Sequence, residues 1–174
     1  MRKINLELKH FCEDFIPIRG ILKKEGAVNL GTVYQKDYFF NLPQSNHLIE
    51  PRLKLRVENG EQVLVFYRRG DFKQGSSNPA NVHLYKVEDN ELLKFLQEAF
   101  GVKVIVEKNR ERWSKDNIIF NLDEVNKVGK IFEIEVGTTL ENKERDEKKF
   151  TQYKDKFFKY LGDVVKGSNV DLLK

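Results

Sequence analysis

The sequence predicts a mainly β protein, an eight-stranded antiparallel sheet closed into a barrel with helices packed on the outside. Eight segments alternate polar and apolar residues or are rich in β-branched and aromatic residues, and most are joined by short turns. Three further segments have helical apolar stripes, which the outer face of a barrel would cover. Eight strands are about the smallest number that leaves room inside for one small ligand.

The first half of the chain supplies five strands and one helix. Asp14 and Pro17 predict the start of that helix, and Gly26 predicts its end. Asn59 and Gly60 predict a tight type I′ turn between two strands, because both central residues of this turn need a positive φ. The predicted strands are residues 3–11, 32–40, 52–58, 62–69 and 82–88, with a polar loop at residues 70–81.

The second half continues with a helix, three strands and a final helix. Asp89 or Asn90 caps the first of these helices, and Gly101 ends it. The final helix has aromatic residues at three- and four-residue spacing and is followed by a tail with a small apolar end. The predicted strands are residues 102–113, 117–125 and 131–137, and the final helix runs from about residue 142 to 161.

Composition predicts a single domain over residues 1–174, long enough to bury a core. The net charge of +4 comes from 31 basic and 27 acidic residues, a weak excess that argues against nucleic acid as a partner. No apolar run approaches the ~20 residues of a membrane helix, and the amino terminus has no signal-peptide core. We expect a cytoplasmic monomer or homodimer without a membrane partner. Cys12 is the single cysteine, so an internal disulfide is excluded.

The charged faces of the strands are segregated by sign. Each face by itself could point to solvent, with the apolar faces forming the core of a sandwich. The segregation, together with apolar helices that need a surface to cover, favours charges that point inward. The cationic strands carry Arg52, Lys54, Arg56, Arg68, Arg69, Lys108, Arg110 and Arg112, and the last two strands carry Asp123, Glu133 and Glu135.

Inward charges predict a ligand. Buried cations need a counter-charge, and the planar guanidinium group suits phosphate oxygens. A phosphate-bearing polyanion would supply the counter-charge for the cations. Glu7 of the first strand and the carboxylates of the last two strands would lie beside it, and like charges there require a bridging divalent cation. Mg²⁺ and Mn²⁺ prefer such oxygen ligands and usually bind substrate phosphates at the same time.

Several segments, in order and spacing, resemble the CYTH family, which comprises class IV adenylyl cyclases, thiamine triphosphatases and related triphosphate tunnel metalloenzymes. The family's strand-one pattern E-x-E-x-K stands here as Asn5-Leu6-Glu7-Leu8-Lys9. The further matching segments are Gln35 to Phe39, Arg52 to Arg56, Lys108 to Arg110, Leu122 to Val125, Phe132 to Glu135 and Ser168 to Leu173.

The resemblance implies a tunnel with a charged lumen that holds a triphosphate and Mg²⁺ or Mn²⁺. The implied metal ligands are Glu7, Asp123, Glu133 and Glu135. The implied phosphate-binding residues are Lys9, Lys54, Arg56, Arg68, Lys86, Lys108 and Arg110, of which Lys9, Arg56, Lys108 and Arg110 are the catalytic candidates. Arg69 is the alternative to Arg68, and His83 is the alternative to Lys86. Asn5 replaces the first glutamate of the pattern and brings no negative charge.

Two reactions fit this site: hydrolysis of ATP, thiamine triphosphate or tripolyphosphate, and cyclisation of ATP to cyclic AMP and pyrophosphate. The alternative from another class is a noncatalytic binder of nucleotide or polyphosphate. A barrel that binds single-stranded nucleic acid would need exposed aromatic residues beside a groove, and a helix-covered barrel argues against it.

Overall fold

The structure is a computed structural model that describes residues 4–43, 51–68 and 81–173. Arg69 and the predicted loop up to residue 80 lie outside the described residues. The elements, in chain order, are β1 (Ile4–Phe11), α1 (Ile16–Lys24), β2 (Val28–Phe40), β3 (Pro51–Glu58), β4 (Glu61–Arg68), β5 (Asn81–Val87), α2 (Leu92–Phe100), β6 (Val102–Lys115), β7 (Ile118–Val125), β8 (Gly129–Thr138) and α3 (Lys143–Phe157). None of the helices described is long and apolar enough to cross a bilayer.

The strands form one antiparallel sheet in the order β1-β8-β7-β6-β2-β3-β4-β5. The predicted fold class, mainly β with eight antiparallel strands and outer helices, is confirmed. The closed barrel needs one correction, because within the described residues no ladder joins β1 to β5. The sheet therefore keeps two free edges that complete closure would remove.

Most predicted elements are confirmed, with shifted ends. The β3–β4 turn has φ values of 50° at Asn59 and 81° at Gly60, as a type I′ turn requires. Strand β2 begins four residues earlier than predicted, because a shift in register between Asn29 and Gly31 lets the ladder to β6 continue past the irregularity. Helix α3 ends at Phe157, and a short 3₁₀ turn follows.

The outer face of the sheet is apolar and covered by the helices. Alternation along β7 and β8 turns Phe120, Leu122, Phe132 and Ile134 to this face, and all four are buried in a core that includes Leu22 of α1 and Phe157 of α3. Helix α2 covers the same outer face over β2 and β3 through Leu96, which clusters with Phe40 and Leu55. The side chains at alternate positions must therefore project to the opposite face.

That opposite face, which we call the inner face, carries the predicted charges. Directly paired residues in adjacent strands share a face. The pairs Glu7–Glu135 and Lys9–Glu133 join β1 to β8, and the pair Arg110–Asp123 joins β6 to β7. The prediction that these charges point inward is confirmed, because Lys9, Lys108, Arg110, Asp123 and Glu133 are all buried.

The carboxyl-terminal segment covers one end of the inner face. Val165, Val170 and Leu172 pack with the inner-face residues Phe39 and Ile131. Arg52 fixes the segment by donating to both oxygens of Asp171 over 2.9 and 2.7 Å. Asp171 in turn accepts from the Ser168 backbone over 2.7 Å and completes a capping box. The small apolar tail predicted from the sequence therefore packs over the apolar end of this face.

We predict that Asp171→Ala loosens this segment. Its ion pair with Arg52 is about three-quarters buried, and the change also removes the cap, so we expect a loss of about 2 kcal/mol in the free energy of unfolding. Denaturant unfolding measures the loss, and hydrogen exchange at the Val165 amide, which bonds to the Lys9 carbonyl, locates it. The exposed Asp155→Ala on α3 is the control. Equal stabilities of the two variants would contradict the prediction.

Candidate active site

A first ion cluster joins β2 and β3. Asp37, only 4% exposed, accepts from Lys54 Nζ over 2.6 Å. The same carboxylate binds Arg56 through two parallel hydrogen bonds of 2.8 and 3.0 Å, from Nε and Nη2. The strand pairing causes this arrangement, because Asp37 stands opposite Arg56 in the ladder and Lys54 lies two residues along on the same face.

A second cluster repeats the arrangement on β6 and β7. Asp123 is fully buried and accepts from Arg110 Nε and Nη2 over 2.6 and 2.7 Å and from Lys108 Nζ over 2.8 Å. In both clusters one aspartate therefore holds a Lys-x-Arg pair from the neighbouring strand. Arg110 extends the second cluster by donating to Glu133 Oε2 over 2.8 Å.

A third group joins β1 and β8. Lys9 Nζ lies 3.2 Å from Glu7 Oε1 and 3.3 Å from Glu133 Oε1. Glu135 accepts from Asn121 Nδ2 over 3.0 Å. Glu133 thus connects the cations of β1 with those of β6. Together with the first cluster, the charges of six neighbouring strands form one network.

Burial and neighbouring charges shift the pKa values of the lysines. Burial lowers the pKa of Lys54 to about 7, although Asp37 opposes the shift. Burial, reinforced by the charge of Arg110, lowers the pKa of Lys108 to about 8. A polyanion placed beside them would favour their charged forms, so both lysines are set to take up protons when a phosphate chain binds.

The carboxylates divide into two kinds. Burial alone would raise the pKa of Asp37, but Lys54 and Arg56 outweigh it and hold the pKa well below its ordinary value. The pKa of Glu133 is likewise lowered, because Lys9 and Arg110 outweigh its burial. Glu135 differs: burial and the nearby charge of Glu133 raise its pKa to about 7. At this end of the network negative charge is in excess, which a metal ion would relieve.

The network is close to electrically neutral. Its cations are Lys9, Lys54, Arg56, Lys108 and Arg110, and its carboxylates are Glu7, Asp37, Asp123, Glu133 and Glu135. Each of these cations has a carboxylate partner. A free polyanion would therefore add uncompensated charge to a buried site, and a divalent cation bound to the polyanion would reduce that charge.

Exposure rises along the strands in one direction. At the end covered by the carboxyl-terminal segment the inner face is apolar, and Val106 and Ile131 are buried. Toward the other end the side chains of Glu7, Glu58 and Arg112 are 27–34% exposed. A ligand can therefore reach the network from the end that carries these three residues.

The structure also places the remaining predicted site residues. Register puts Lys86 on the inner face, opposite Val63, while His83 lies on the outer face against the ring of Phe66. Lys86 is exposed and its Nζ lies 3.5 Å from Glu61, so the structure does not bring it into the network. The backbone of Arg68 pairs with Pro51, but its side chain lies outside what the structure describes.

Two site residues were not predicted. Asp37 and Gln35 stand in a segment that carries the family resemblance, but their charge partners come from a different strand. Gln35 is fully buried and donates to Glu58, and its Oε1 has no hydrogen-bond partner in the described structure. The available signal was the spacing of Gln35 and Asp37, two positions apart on β2, because residues two apart on a strand share a face.

The residues around Glu133 and Glu135 suit a hard divalent cation in their chemistry. Carboxylate and amide oxygens are the ligands that Mg²⁺ and Mn²⁺ prefer. Asn121 lies opposite Glu133, and its Oδ1 is buried without a hydrogen-bond partner among the described residues. No group of three acidic, His or Cys side chains in the described ranges is already assembled around one point. Here the oxygens of Glu7 and Glu133 are paired with Lys9 and Arg110.

An open groove of about 650 Å³ lies beside the β7–β8 turn and is lined by Tyr34 and Glu107, among others. Tyr34 donates to Glu107 over 2.8 Å, and Tyr34 is half exposed on the outer face. Because these charges are solvated, the groove lacks the buried electrostatics that distinguish the inner face.

Comparisons with known proteins show the family to which the chain belongs. The CYTH domain model matches residues 3–160. A Methanocaldococcus jannaschii protein, named as a proposed adenylate cyclase, is 24% identical over 170 residues, covering 96% of this chain and 90% of that protein.

Two solved structures share the fold. A proposed adenylate cyclase from Vibrio parahaemolyticus superposes with a TM-score of 0.78 at 15% identity, covering 99% of each chain. A Hippeastrum protein, described as a proposed adenylyl cyclase with a dominant triphosphatase activity, has a TM-score of 0.66 at 16% identity, covering 97% of this chain and 93% of its own.

We predict that Asp37→Ala destabilises the fold by about 3 kcal/mol, because it leaves Lys54 and Arg56 buried without their counter-charge. Added tripolyphosphate should raise the melting temperature of this variant more than that of the wild-type protein. Glu147→Ala is the control, since its pair with Lys143 on α3 is 46% and 44% exposed and should contribute less than 1 kcal/mol. A cost no larger than that of the control would show that the first cluster is not an electrostatic unit.

Proposed function

Because the chain belongs to the CYTH domain family, we propose that it is a divalent-metal-dependent enzyme that breaks a phosphoanhydride bond of a triphosphate. The observation that carries this proposal is the buried, charge-balanced network of the inner face. Its guanidinium and ammonium groups suit phosphate oxygens, and its glutamates suit the metal that accompanies such a substrate.

The cations have distinct roles in this proposal. Arg56 and Arg110 each bind an aspartate through two parallel hydrogen bonds, and the same planar fork can bind two phosphate oxygens. The ammonium groups of Lys9, Lys54 and Lys108 act as point charges along the phosphate chain. Asp37 holds Lys54 and Arg56 in place before the substrate arrives, and Asp123 holds Lys108 and Arg110, which lowers the entropy lost on binding.

Mg²⁺ or Mn²⁺ would be held by Glu7, Glu133 and Glu135 with the Asn121 amide oxygen, and would neutralise charge on the phosphate oxygens. Asp123, predicted as a further ligand, already accepts on both oxygens from Arg110 and Lys108. We therefore propose that Asp123 acts mainly by positioning these two cations. The structural reason is that its carboxylate is enclosed, whereas Glu7 is open to the accessible end.

Two reactions use this arrangement. In hydrolysis a water oxygen attacks the terminal phosphorus, the bond from that phosphorus to the bridging oxygen breaks, and orthophosphate is released. In cyclisation the ribose 3′-hydroxyl attacks the α-phosphorus of ATP and pyrophosphate leaves. Both develop negative charge on the departing phosphate, which Arg56, Arg110 and the lysines stabilise. The names of two relatives favour cyclisation, and the Hippeastrum protein favours hydrolysis.

One assay separates these reactions. Purified protein is incubated with ATP, thiamine triphosphate or tripolyphosphate and with Mg²⁺ or Mn²⁺, and the products are resolved. Cyclic AMP with pyrophosphate would establish the cyclase, and orthophosphate would establish the hydrolase. Tripolyphosphate binding without turnover in either metal would contradict an enzyme and support a noncatalytic binder.

We predict separate effects for two variants. Arg56→Ala should raise KM about 10- to 100-fold, because it removes charged hydrogen bonds to phosphate. Glu133→Gln should chiefly raise the metal concentration needed for half-maximal rate, because it removes one negative charge from the metal ligands. Steady-state rates against substrate and against metal measure the two effects. The control is Arg145→Ala, whose side chain is 61% exposed on α3. Full activity in both site variants would refute the assigned site.

A further prediction concerns pH. The Lys54 ammonium is favoured below its pKa of about 7, and a bound polyanion raises that pKa, so binding at pH 8 should take up protons. Affinity should fall as pH rises above 7, by at most tenfold per unit for each such group. Titration calorimetry in buffers of different ionisation enthalpy counts the protons. Lys54→Met should take up about one proton fewer, and an unchanged count would contradict this role of Lys54.

A further inference from the structure

Gln35 is a buried polar residue of the inner face that the ion clusters do not use. It stands on β2 between Glu58 of β3 and Lys108 of β6, which are its direct partners in the two ladders. Asp37, the centre of the first cluster, lies two residues further along β2 on the same face. The Gln35 side chain is fully buried. Gln35 therefore lies between the two aspartate clusters.

The contact with Glu58 determines which end of the Gln35 amide is free. An ionised carboxylate only accepts hydrogen bonds, so the amide nitrogen of Gln35 must face Glu58, and Nε2 donates to Glu58 Oε2. The carbonyl oxygen Oε1 consequently turns away from Glu58, and it has no hydrogen-bond partner among the described residues. An unpaired buried acceptor is unfavourable, and a ligand that brings a donor would satisfy it.

The surroundings of this oxygen decide which ligand group can bind it. A phosphate oxygen is itself an acceptor and is repelled by a carbonyl oxygen. A metal ion is disfavoured, because Arg56 and Lys108 place positive charge on the strands to either side. A neutral O–H group donates to the oxygen without adding charge, so this is the kind of group that suits the position.

Both proposed reactions require one such O–H group, the nucleophile. It is a water molecule in hydrolysis and the ribose 3′-hydroxyl in cyclisation. We propose that Gln35 Oε1 accepts a hydrogen bond from the nucleophile and aims its oxygen at the phosphorus, and that Glu58 is a positioning residue that holds the Gln35 amide in this orientation. The inference rests on the proposed function, because it adds a residue to the same site.

Gln35 orients the nucleophile but does not take its proton, because an amide oxygen is an acceptor and not a base. A lone pair of the nucleophile forms the new bond to phosphorus. The electron pair of the breaking P–O bond leaves with the departing phosphate, and the proton of the nucleophile passes to a phosphate oxygen. Arg56 and Lys108, on the two strands beside Gln35, bind the phosphate oxygens. A nucleophile oriented in this way increases kcat and leaves substrate affinity unchanged.

The experiment separates rate from binding. Values of kcat and KM are measured for Gln35→Met, which keeps the length of the side chain and removes the acceptor. The substrate is whichever of ATP, thiamine triphosphate and tripolyphosphate the wild-type protein turns over fastest. Dissociation constants for tripolyphosphate are measured with Ca²⁺, and melting curves show whether each variant is folded.

Gln62→Met is the matched control. The Gln62 side chain also has a buried Oε1 without a partner among the described residues. It stands opposite Val57 and Val87, however, and therefore projects to the outer face. The same substitution at the two glutamines thus distinguishes a role at the site from the general effect of removing an unpaired oxygen.

We expect Gln35→Met to lower kcat about 10- to 100-fold, while KM and the dissociation constant for tripolyphosphate change less than about threefold. Gln62→Met should keep the wild-type kcat. Equal kcat values in the two variants, or an effect of Gln35→Met on KM alone, would overturn the inference and leave the cation network in place. Failure of the wild-type protein to turn over any of the three substrates would overturn the proposed function and this inference together.

Substitutions of Glu58 give a second test that keeps Gln35 itself. Glu58→Ala should lower kcat about tenfold, because the Gln35 amide is then free to rotate. Glu58→Gln should restore the rate, because its amide oxygen accepts from Gln35. A role of Glu58 through its charge on Arg112, 4.0 Å away, would not give this rescue. Equal rates in the two Glu58 variants would overturn the inference, even if Gln35→Met does not fold.

Discussion

Charges removed from water need counter-charges, and this constraint governs the inner face of the sheet. Asp37 and Asp123 satisfy it twice in the same way, each binding an arginine through two hydrogen bonds and a lysine through one. Glu133 then connects Arg110 of the Asp123 cluster with Lys9 of β1. A buried network of this kind is a costly way to build a core, since well-packed apolar residues are often as stable or more stable. Its presence is better explained by a charged ligand than by stability.

The remainder of the fold supports that network. Alternation along each strand sends charges to one face and apolar residues to the other, and the helices cover the apolar face through residues such as Leu22, Phe157 and Leu96. The carboxyl-terminal segment covers one end of the inner face and is held by Arg52 and Asp171. Lys9, Lys108 and Arg110 are at most 8% exposed, and this removal from water strengthens their interactions with one another and with a ligand.

Electrical balance has a consequence for binding. Since the cations are already paired with carboxylates, a phosphate chain gains affinity only by replacing those partners or by bringing positive charge of its own. The glutamates near the accessible end, with a Glu135 pKa raised to about 7, mark where added positive charge is most favourable. The lysines, with lowered pKa values, gain charge when an anion arrives.

The sequence by itself determined which residues share a face, because the period of two is a local property of an extended backbone. It therefore identified Lys54 with Arg56, Lys108 with Arg110, and the hairpin at Asn59 and Gly60. It did not reveal Asp37 as the partner of Lys54 and Arg56. It also did not reveal that His83 lies on the outer face and Lys86 on the inner face, or that the carboxyl-terminal segment covers one end of the inner face. These depend on β2 lying between β6 and β3, and on register between distant segments. Only the tertiary structure decides them, because the pairing energy of a strand or a charge depends on a neighbour that local sequence does not specify.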